Sequence, residues 1–306
     1  MDQTFAMHVN IASAQYPVSF HTSFQAWSAH TEIWVQQASQ QNPHLLLFPE
    51  YGSMELVSLL SAEEPADIRL QVRGMDRLRA DFCTVFTNLA RKYGRIIVAP
   101  SFPVCEAELV FNRCYVFGPK GQTGYQDKHF MTRFEQEEWE VQSAPARICL
   151  FEADWGSFGI QICYDVEFPI GSALLSAAGA RIILAPSCTE SIRGSTRVHV
   201  GARARALEQQ CYTVVSPLIG EAPWSPAVDV NYGFAAFYST PDKFFQEEGI
   251  LNQMSPQQPG WLLQMLDLSL IESVRKEGQT LNFRDQAGSA YSLNQGAMEV
   301  VRMTIS

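Results

Sequence analysis

Apolar residues recur along this chain in short runs separated by turn residues, and the spacing within each run predicts its element. Residues 7–15 read as a strand. Phe24, Trp27, Ile33, Trp34 and Ala38 form a stripe at helical spacing, which predicts a helix over 24–40. The continuous apolar run 44–48 predicts a short strand that stops at Pro49 and Glu50. A second helix is expected over 75–93, closed by Gly94 just past its end, with a strand over 95–99 after it. Runs 109–117 and 124–128 flank the turn Gly118-Pro119-Lys120-Gly121 and read as a hairpin. Runs 147–151 and 158–163 read as another antiparallel pair around Asp154-Trp155-Gly156. A helix over 171–178, a strand over 182–185, a helix over 197–210 and strands over 212–216, 233–238 and 261–267 complete the pattern. Strands alternating with helices and hairpins predict a mixed sheet covered by helices, a layered α/β protein. No repeat or low-complexity linker divides the chain. The expectation is one domain over 1–306, with a core over about 7–268 and a C-terminal extension over about 270–306.

Composition narrows the class of function. The net charge is −10 and the pI about 5.1, so the surface repels phosphate backbones and nucleic acid is not an expected partner. No apolar run approaches the roughly 18–20 residues of a membrane span. Asp2 stands where a signal peptide would carry a basic segment, so no secretory leader is expected. The seven cysteines are odd in number and include no CxxC pair, and the histidines are scattered. Neither a disulfide framework nor a metal site is expected, and the setting read from this usage is reducing and cytoplasmic.

Three reactive side chains stand where strands end, the place where α/β sheets collect their sites. Glu50 follows Leu45-Leu46-Leu47-Phe48-Pro49, Lys128 follows the strand that begins at Gly124, and Cys163 ends Phe158-Gly159-Ile160-Gln161-Ile162. A thiol, a carboxylate and an ammonium are what acyl transfer to sulfur requires. The carboxylate removes the thiol proton. The ammonium favours the thiolate and stabilises the oxyanion of the tetrahedral intermediate. Taken singly, each has a plainer reading: a core cysteine, a capping glutamate, a solvated lysine.

The local sequences decide between these readings. Leu47-Phe48-Pro49-Glu50, Tyr125-Gln126-Asp127-Lys128 and Gly159-Ile160-Gln161-Ile162-Cys163-Tyr164-Asp165, the last followed by Phe168-Pro169, resemble in order the three motifs of the nitrilase superfamily of carbon–nitrogen hydrolases. The resemblance runs from about residue 7 to residue 267. It implies a four-layer α-β-β-α sandwich, with Glu50 as base, Lys128 as oxyanion partner, Cys163 as nucleophile and no cofactor. A second active-site glutamate is also implied after the lysine. Glu137 aligns best, and Glu135 and Glu138 stay open. The chain departs from the family at Ile170-Gly171-Ser172-Ala173, where relatives carry an acidic residue and then an arginine, and at His129-Phe130-Met131 after the lysine.

The expected reaction is hydrolysis of a small carboxamide to acid and ammonia through a Cys163 thioester. The backbone N–H of Tyr164 would join Lys128 at the oxyanion, and Glu190 would meet an amine on the substrate. Cys163-Tyr164-Asp165 is similar to the amide-cleaving branches, since nitrile-cleaving relatives carry Trp-Glu after the cysteine. An N-carbamoyl amine hydrolase, a scaffold that kept the fold without catalysis, and a thiol redox protein are the other readings. Arg205 and Glu208 are expected to pair on their helix, and Trp224 to pack, wall the pocket or meet a second subunit. The resemblance implies a homodimer or larger even assembly, for which the apolar stretch 297–305 is available.

Overall fold

The computed structural model of the chain describes residues 8–61, 67–287, 302 and 303. The first half runs β1 (His8–Pro17), α1 (Phe24–Ser39), β2 (Leu45–Leu47), α2 (Ile68–Met75), α3 (Arg79–Tyr93), β3 (Ile96–Val98), β4 (Phe102–Glu106), β5 (Leu109–Phe117) and β6 (Thr123–Asp127). There follow α4 (Arg133–Glu137), β7 (Leu150–Ala153), β8 (Gly156–Ile160), α5 (Pro169–Ala177), β9 (Ile182–Ser187), α6 (Ile192–Gln209) and β10 (Tyr212–Glu221). The described part continues with β11 (Val230–Asn231), β12 (Ala236–Tyr238), β13 (Ile250–Gln253), β14 (Gly260–Asp267) and α7 (Leu268–Glu277). Two 3-10 turns matter for the site, Gly52–Leu59 and Cys163–Glu167.

Two sheets meet along one strand. β4-β5-β3-β2-β1 form the first, with β6 on β5 and β14 on β1. β10-β9-β8-β7 form the second, with β12 and β13 beside β10. β1 joins them, because its last residues, Tyr16 and Pro17, leave the first sheet and pair with Leu218 and Ile219 of β10. Alternation along each strand then sorts side chains into layers. Val9 and Ile11 pack with Ile160, Leu184 and Val214 between the sheets. Ala12, Ala14 and Tyr16 pack outward with Trp27 and Val35 of α1 and with Phe82 and Phe86 of α3. Across the second sheet, Ile183 meets Leu175 of α5, and the Thr213 hydroxyl donates to the Ala202 carbonyl of α6 at 3.0 Å. The layers are therefore helix, sheet, sheet, helix, the four-layer α-β-β-α sandwich expected. Among the described residues no helix is long and apolar enough to cross a membrane.

Several elements differ from the sequence reading. The helix expected over 75–93 begins at Arg79; α2 and the 3-10 turn Asp76–Leu78 precede it. Gly94 caps it in the left-handed conformation, φ +65°, as expected. β4 was not legible because it contains Pro103, yet it lies at the sheet edge, where a missing N–H costs no ladder bond. α7 falls across the boundary expected near 268–270, and it buries Leu268 and Ile271 in the inter-sheet core. The stretch 297–305, expected to serve association, lies outside the described residues except for 302 and 303. All seven cysteines are free thiols.

Candidate active site

Four strands end at one cavity of about 610 Å³. β2 delivers Glu50, β6 delivers Lys128, β8 delivers Cys163 and β9 delivers Cys188. The parallel pairs β1–β2 and β8–β9 send their chains toward the same edge, so the reactive groups gather beyond the carboxyl ends of the strands.

A buried charge cluster forms the floor. The Lys128 ammonium donates to Glu50 Oε1 and to Glu135 Oε2, both at 2.7 Å. Lys128, Glu50 and Glu135 are all at most 2% exposed. A lysine so buried would lose its proton if it stood alone. Here burial works against the ammonium, but Glu135 and Glu50 outweigh it and hold the pKa well above the ordinary lysine value. The two carboxylates are not equivalent. Glu135 accepts from the Thr132 backbone N–H at 2.9 Å, the Thr132 hydroxyl at 3.0 Å and the Tyr51 hydroxyl at 2.9 Å, as well as from Lys128. Burial raises its pKa, but Lys128 and these donors more than reverse that, so Glu135 stays below the usual glutamate range. Glu50 accepts from Asn112 Nδ2 at 2.9 Å and from the Cys188 backbone N–H at 2.9 Å. For Glu50 burial prevails over the attraction of Lys128, and the charge on Glu135 adds to it, so its pKa is raised. One lysine thus sits between a carboxylate held toward its ionised form and one shifted toward taking up a proton.

Cys163 opens the 3-10 turn that follows β8, with φ at +48°. That left-handed conformation is strained for a residue with a Cβ and has to be held by its surroundings. Asp165 supplies much of the restraint. Its carboxylate accepts from the Phe130 N–H at 2.7 Å, the His129 N–H at 3.1 Å and the Ile162 N–H at 3.3 Å, tying the turn to the loop after Lys128. Behind the turn, Arg205 donates to the Val166 carbonyl at 3.2 Å and pairs with Glu208 at 3.0 Å, the pairing expected. α6 comes this close because it carries Gly201, where a Cβ would lie 2.9 Å from the Val166 carbonyl oxygen. The thiol itself lies 3.5 Å from the Cys188 carbonyl. Burial and the charge on Glu50 push its pKa well above the ordinary thiol value, against the pull of Lys128. At rest the group is a protonated thiol beside a carboxylate, an arrangement that needs a base before it can attack.

The structure brings to the lysine a different glutamate from the one the alignment favours. Glu135, not Glu137, lies against Lys128. Thr132 caps α4, and Glu135 turns back to its N-terminus in a capping box, which aims the carboxylate at the lysine. Glu137 lies two residues on, about 200° around the helix, where it pairs with Arg133 at 3.4 Å on the exposed face. The Thr-x-x-Glu spacing of Thr132 and Glu135 was the signal available in the sequence. Glu138, the other alternative, lines the cavity without touching the lysine. Tyr164 and Glu190 also line it, Glu190 at the exposed rim. Trp224 packs edge-on against Phe20, 5.2 Å between centroids, outside the cavity lining. Asn112 and Tyr51 carry no motif signal of their own, and only the fold brings them to the cluster.

Comparison with known proteins bears on the family and the fold. A sequence profile of the carbon–nitrogen hydrolase family matches residues 10–245. The chain is 31% identical over 288 residues to the probable hydrolase YhcX of Bacillus subtilis, covering 94% of this chain and 55% of that protein. It is 28% identical over 162 residues to the omega-amidase NIT3 of Saccharomyces cerevisiae, covering 49% of this chain and 52% of that one. The matches therefore span about half the length of these two relatives. Among solved structures, a carbon–nitrogen hydrolase from Helicobacter pylori superposes with a TM-score of 0.77 at 16% identity, covering 94% of this chain and 98% of that one. An amidase from Nesterenkonia sp. superposes with a TM-score of 0.67 at 18% identity, covering 92% and 96%. At such identities the superpositions bear on the fold alone.

Proposed function

Because the chain belongs to the carbon–nitrogen hydrolase family, we propose that it hydrolyses a small carboxamide to the acid and ammonia through a thioester on Cys163. The observation that carries this reading is the meeting of a protonated thiol, a poised carboxylate and a doubly paired ammonium in one cavity. Glu50 takes the thiol proton, and the sulfur attacks the amide carbon. Two of the three Lys128 ammonium protons are engaged by carboxylates, and the third serves the oxyanion. The Tyr164 N–H is the second donor, since the first N–H groups of a helical turn lack partners within it. As the intermediate collapses, Glu50 returns the proton to nitrogen and ammonia leaves. Glu50 then deprotonates water, the hydroxide attacks the thioester, and the acid departs as the thiol is restored. Glu135 positions Lys128. Glu190 meets an amine on the substrate from the rim.

The test is ammonia release from an amide, an N-carbamoyl amine and a nitrile that share one side chain. Attack on an amide gives an oxyanion at once, which Lys128 is placed to hold, whereas a nitrile first gives a thioimidate. The amide is expected to have the highest kcat/KM, with an acid limb above the pH at which an ordinary glutamate titrates, since Glu50 must be ionised to act. Preference for the nitrile by tenfold, about 1.4 kcal/mol, overturns the branch. Preference for the N-carbamoyl amine selects that alternative reading, and no turnover of any of the three favours a scaffold.

The apolar side chains Ile170 and Leu174 of α5, with Val200 and Leu207 of α6, lie exposed on the helices that flank the nucleophile. Such a patch supports association of the chain with a second copy. Sedimentation at micromolar concentration is expected to give a dimer or larger even assembly, and a monomer of 34.3 kDa alone would exclude it.

A further inference from the structure

Away from the cavity, three segments converge on a second polar cluster. The segment after β1 carries His21, α1 carries His30 and the 3-10 turn Gly52–Leu59 carries Glu55. One ring nitrogen from each histidine and one Glu55 oxygen lie within 4.8 Å of one another. Glu55 is fully buried and His21 is 6% exposed, while His30 is half-buried. The Glu55 carboxylate is held from outside. The Tyr16 hydroxyl donates to Oε2 at 2.9 Å and the Ser19 N–H to Oε1 at 2.7 Å. His21 Nε2 stands 3.6 Å from Oε2, beyond hydrogen-bonding distance. Among the described residues neither His21 Nε2 nor His30 Nε2 has a hydrogen-bond partner, although both atoms are buried. Buried polar atoms are normally satisfied, so two such imidazole nitrogens, one of them 3.6 Å from a buried carboxylate, call for an occupant.

We propose that His21, His30 and Glu55 bind a divalent transition-metal ion of the zinc class. Two imidazole nitrogens and one carboxylate oxygen suit zinc, whereas calcium and magnesium take oxygen ligands. Bonds of about 2.0–2.1 Å in a tetrahedron place neighbouring ligand atoms roughly 3.4 Å apart. His21 and Glu55 already stand close to that separation. His30, at the half-buried side, closes the remainder by a side-chain movement of about an ångström and leaves the fourth position to water. Tyr16 and Ser19 then orient the carboxylate ligand from behind, as outer-shell partners of metal sites do. The ion would bring a positive charge to the buried Glu55 carboxylate, and it would pin the Gly52–Leu59 turn to α1. The rival arrangement is a proton shared between His21 and Glu55 with no metal.

The test uses the full chain, stripped with a chelator, desalted and titrated with zinc alone and with cobalt(II) alone. One zinc ion per chain is expected, with the intense visible absorption of tetrahedral cobalt and a zinc-dependent rise in Tm. Cys163→Ala should bind as wild type does, which separates this site from thiol binding in the cavity. His30→Gln and His21→Gln should each weaken binding by at least about tenfold and lose the rise in Tm. Imidazole nitrogen resonances of the wild type give an answer that needs no substitution: two of the six histidines should shift on adding zinc. Absence of stoichiometric zinc in the wild type would overturn the proposal. So would equally tight binding in His30→Gln, loss of the ion in Cys163→Ala, or zinc-induced shifts at other histidines only.

Discussion

Cys163→Ala is expected to lower amide turnover by on the order of 10⁴-fold or more, the scale seen when a covalent nucleophile is removed, while leaving the fold in place. The substitution deletes one sulfur from a buried turn whose restraints come from elsewhere. Asp165 holds the backbone on one side and Arg205 holds the Val166 carbonyl on the other. Alanine also carries a Cβ, so the left-handed backbone at this position is no better and no worse accommodated. The unfolding midpoint should therefore move little. Mass spectrometry of the quenched wild-type reaction should show the acyl group on Cys163, and the adduct should persist in Cys188→Ala. Retention of a tenth of wild-type turnover in Cys163→Ala would remove the thiol from the mechanism.

Lys128→Met should cost both rate and stability, a pairing that a surface lysine would not produce. Loss of one oxyanion donor lowers kcat by about 10²–10³. The same change leaves Glu50 and Glu135 facing each other in a dry site with no cation. Breaking a buried pair in this way costs about 3–5 kcal/mol, reduced to the extent that one carboxylate takes up a proton. Glu135→Gln should lower kcat in the same direction by removing the charge that positions the ammonium. Glu137→Gln should change it by less than about twofold, since exposed substitutions stay within about 0.5 kcal/mol. Steady-state kinetics and urea unfolding on the three variants read both effects. An unchanged kcat in Lys128→Met would refute the oxyanion role, and equal losses in Glu135→Gln and Glu137→Gln would refute the positioning role of Glu135.

The layers and the three strand-end side chains were legible because they rest on local pattern. Period-two and helical spacing located most strands and the helices α1, α3, α5 and α6, and Glu50, Lys128 and Cys163 stood inside recognisable motifs. What escaped the sequence depends on contacts far apart in the chain. Asn112 reaches Glu50 across 62 positions and Tyr51 reaches Glu135 across 84, and no local pattern encodes such meetings. Glu135 was open among three neighbours because alignment along the sequence ignores the helical turn, while the capping geometry of Thr132 fixes which carboxylate looks inward. His21, His30 and Glu55 lie on three separate segments, with none of the tight spacing by which a metal site shows itself in a sequence.

β1 joins both sheets, and this sets the timetable of assembly. The Ser13 hydroxyl donates to the Val215 carbonyl across 202 positions, and the whole of β14 lies further along the chain. At synthesis rates of about 5–20 residues per second, β1 waits about 10–50 s for its last neighbour. Until β10 emerges, an apolar strand with unpaired N–H and C=O groups has only β2 beside it, and the edge that β14 covers stays open longer still. Long-range pairing of this kind makes folding slow, and an open edge recruits other chains. Yield during expression should consequently depend on how fast the segment carrying β10 and β14 emerges, and on chaperones that shield β1 in the interval, more than on the stability of the finished molecule.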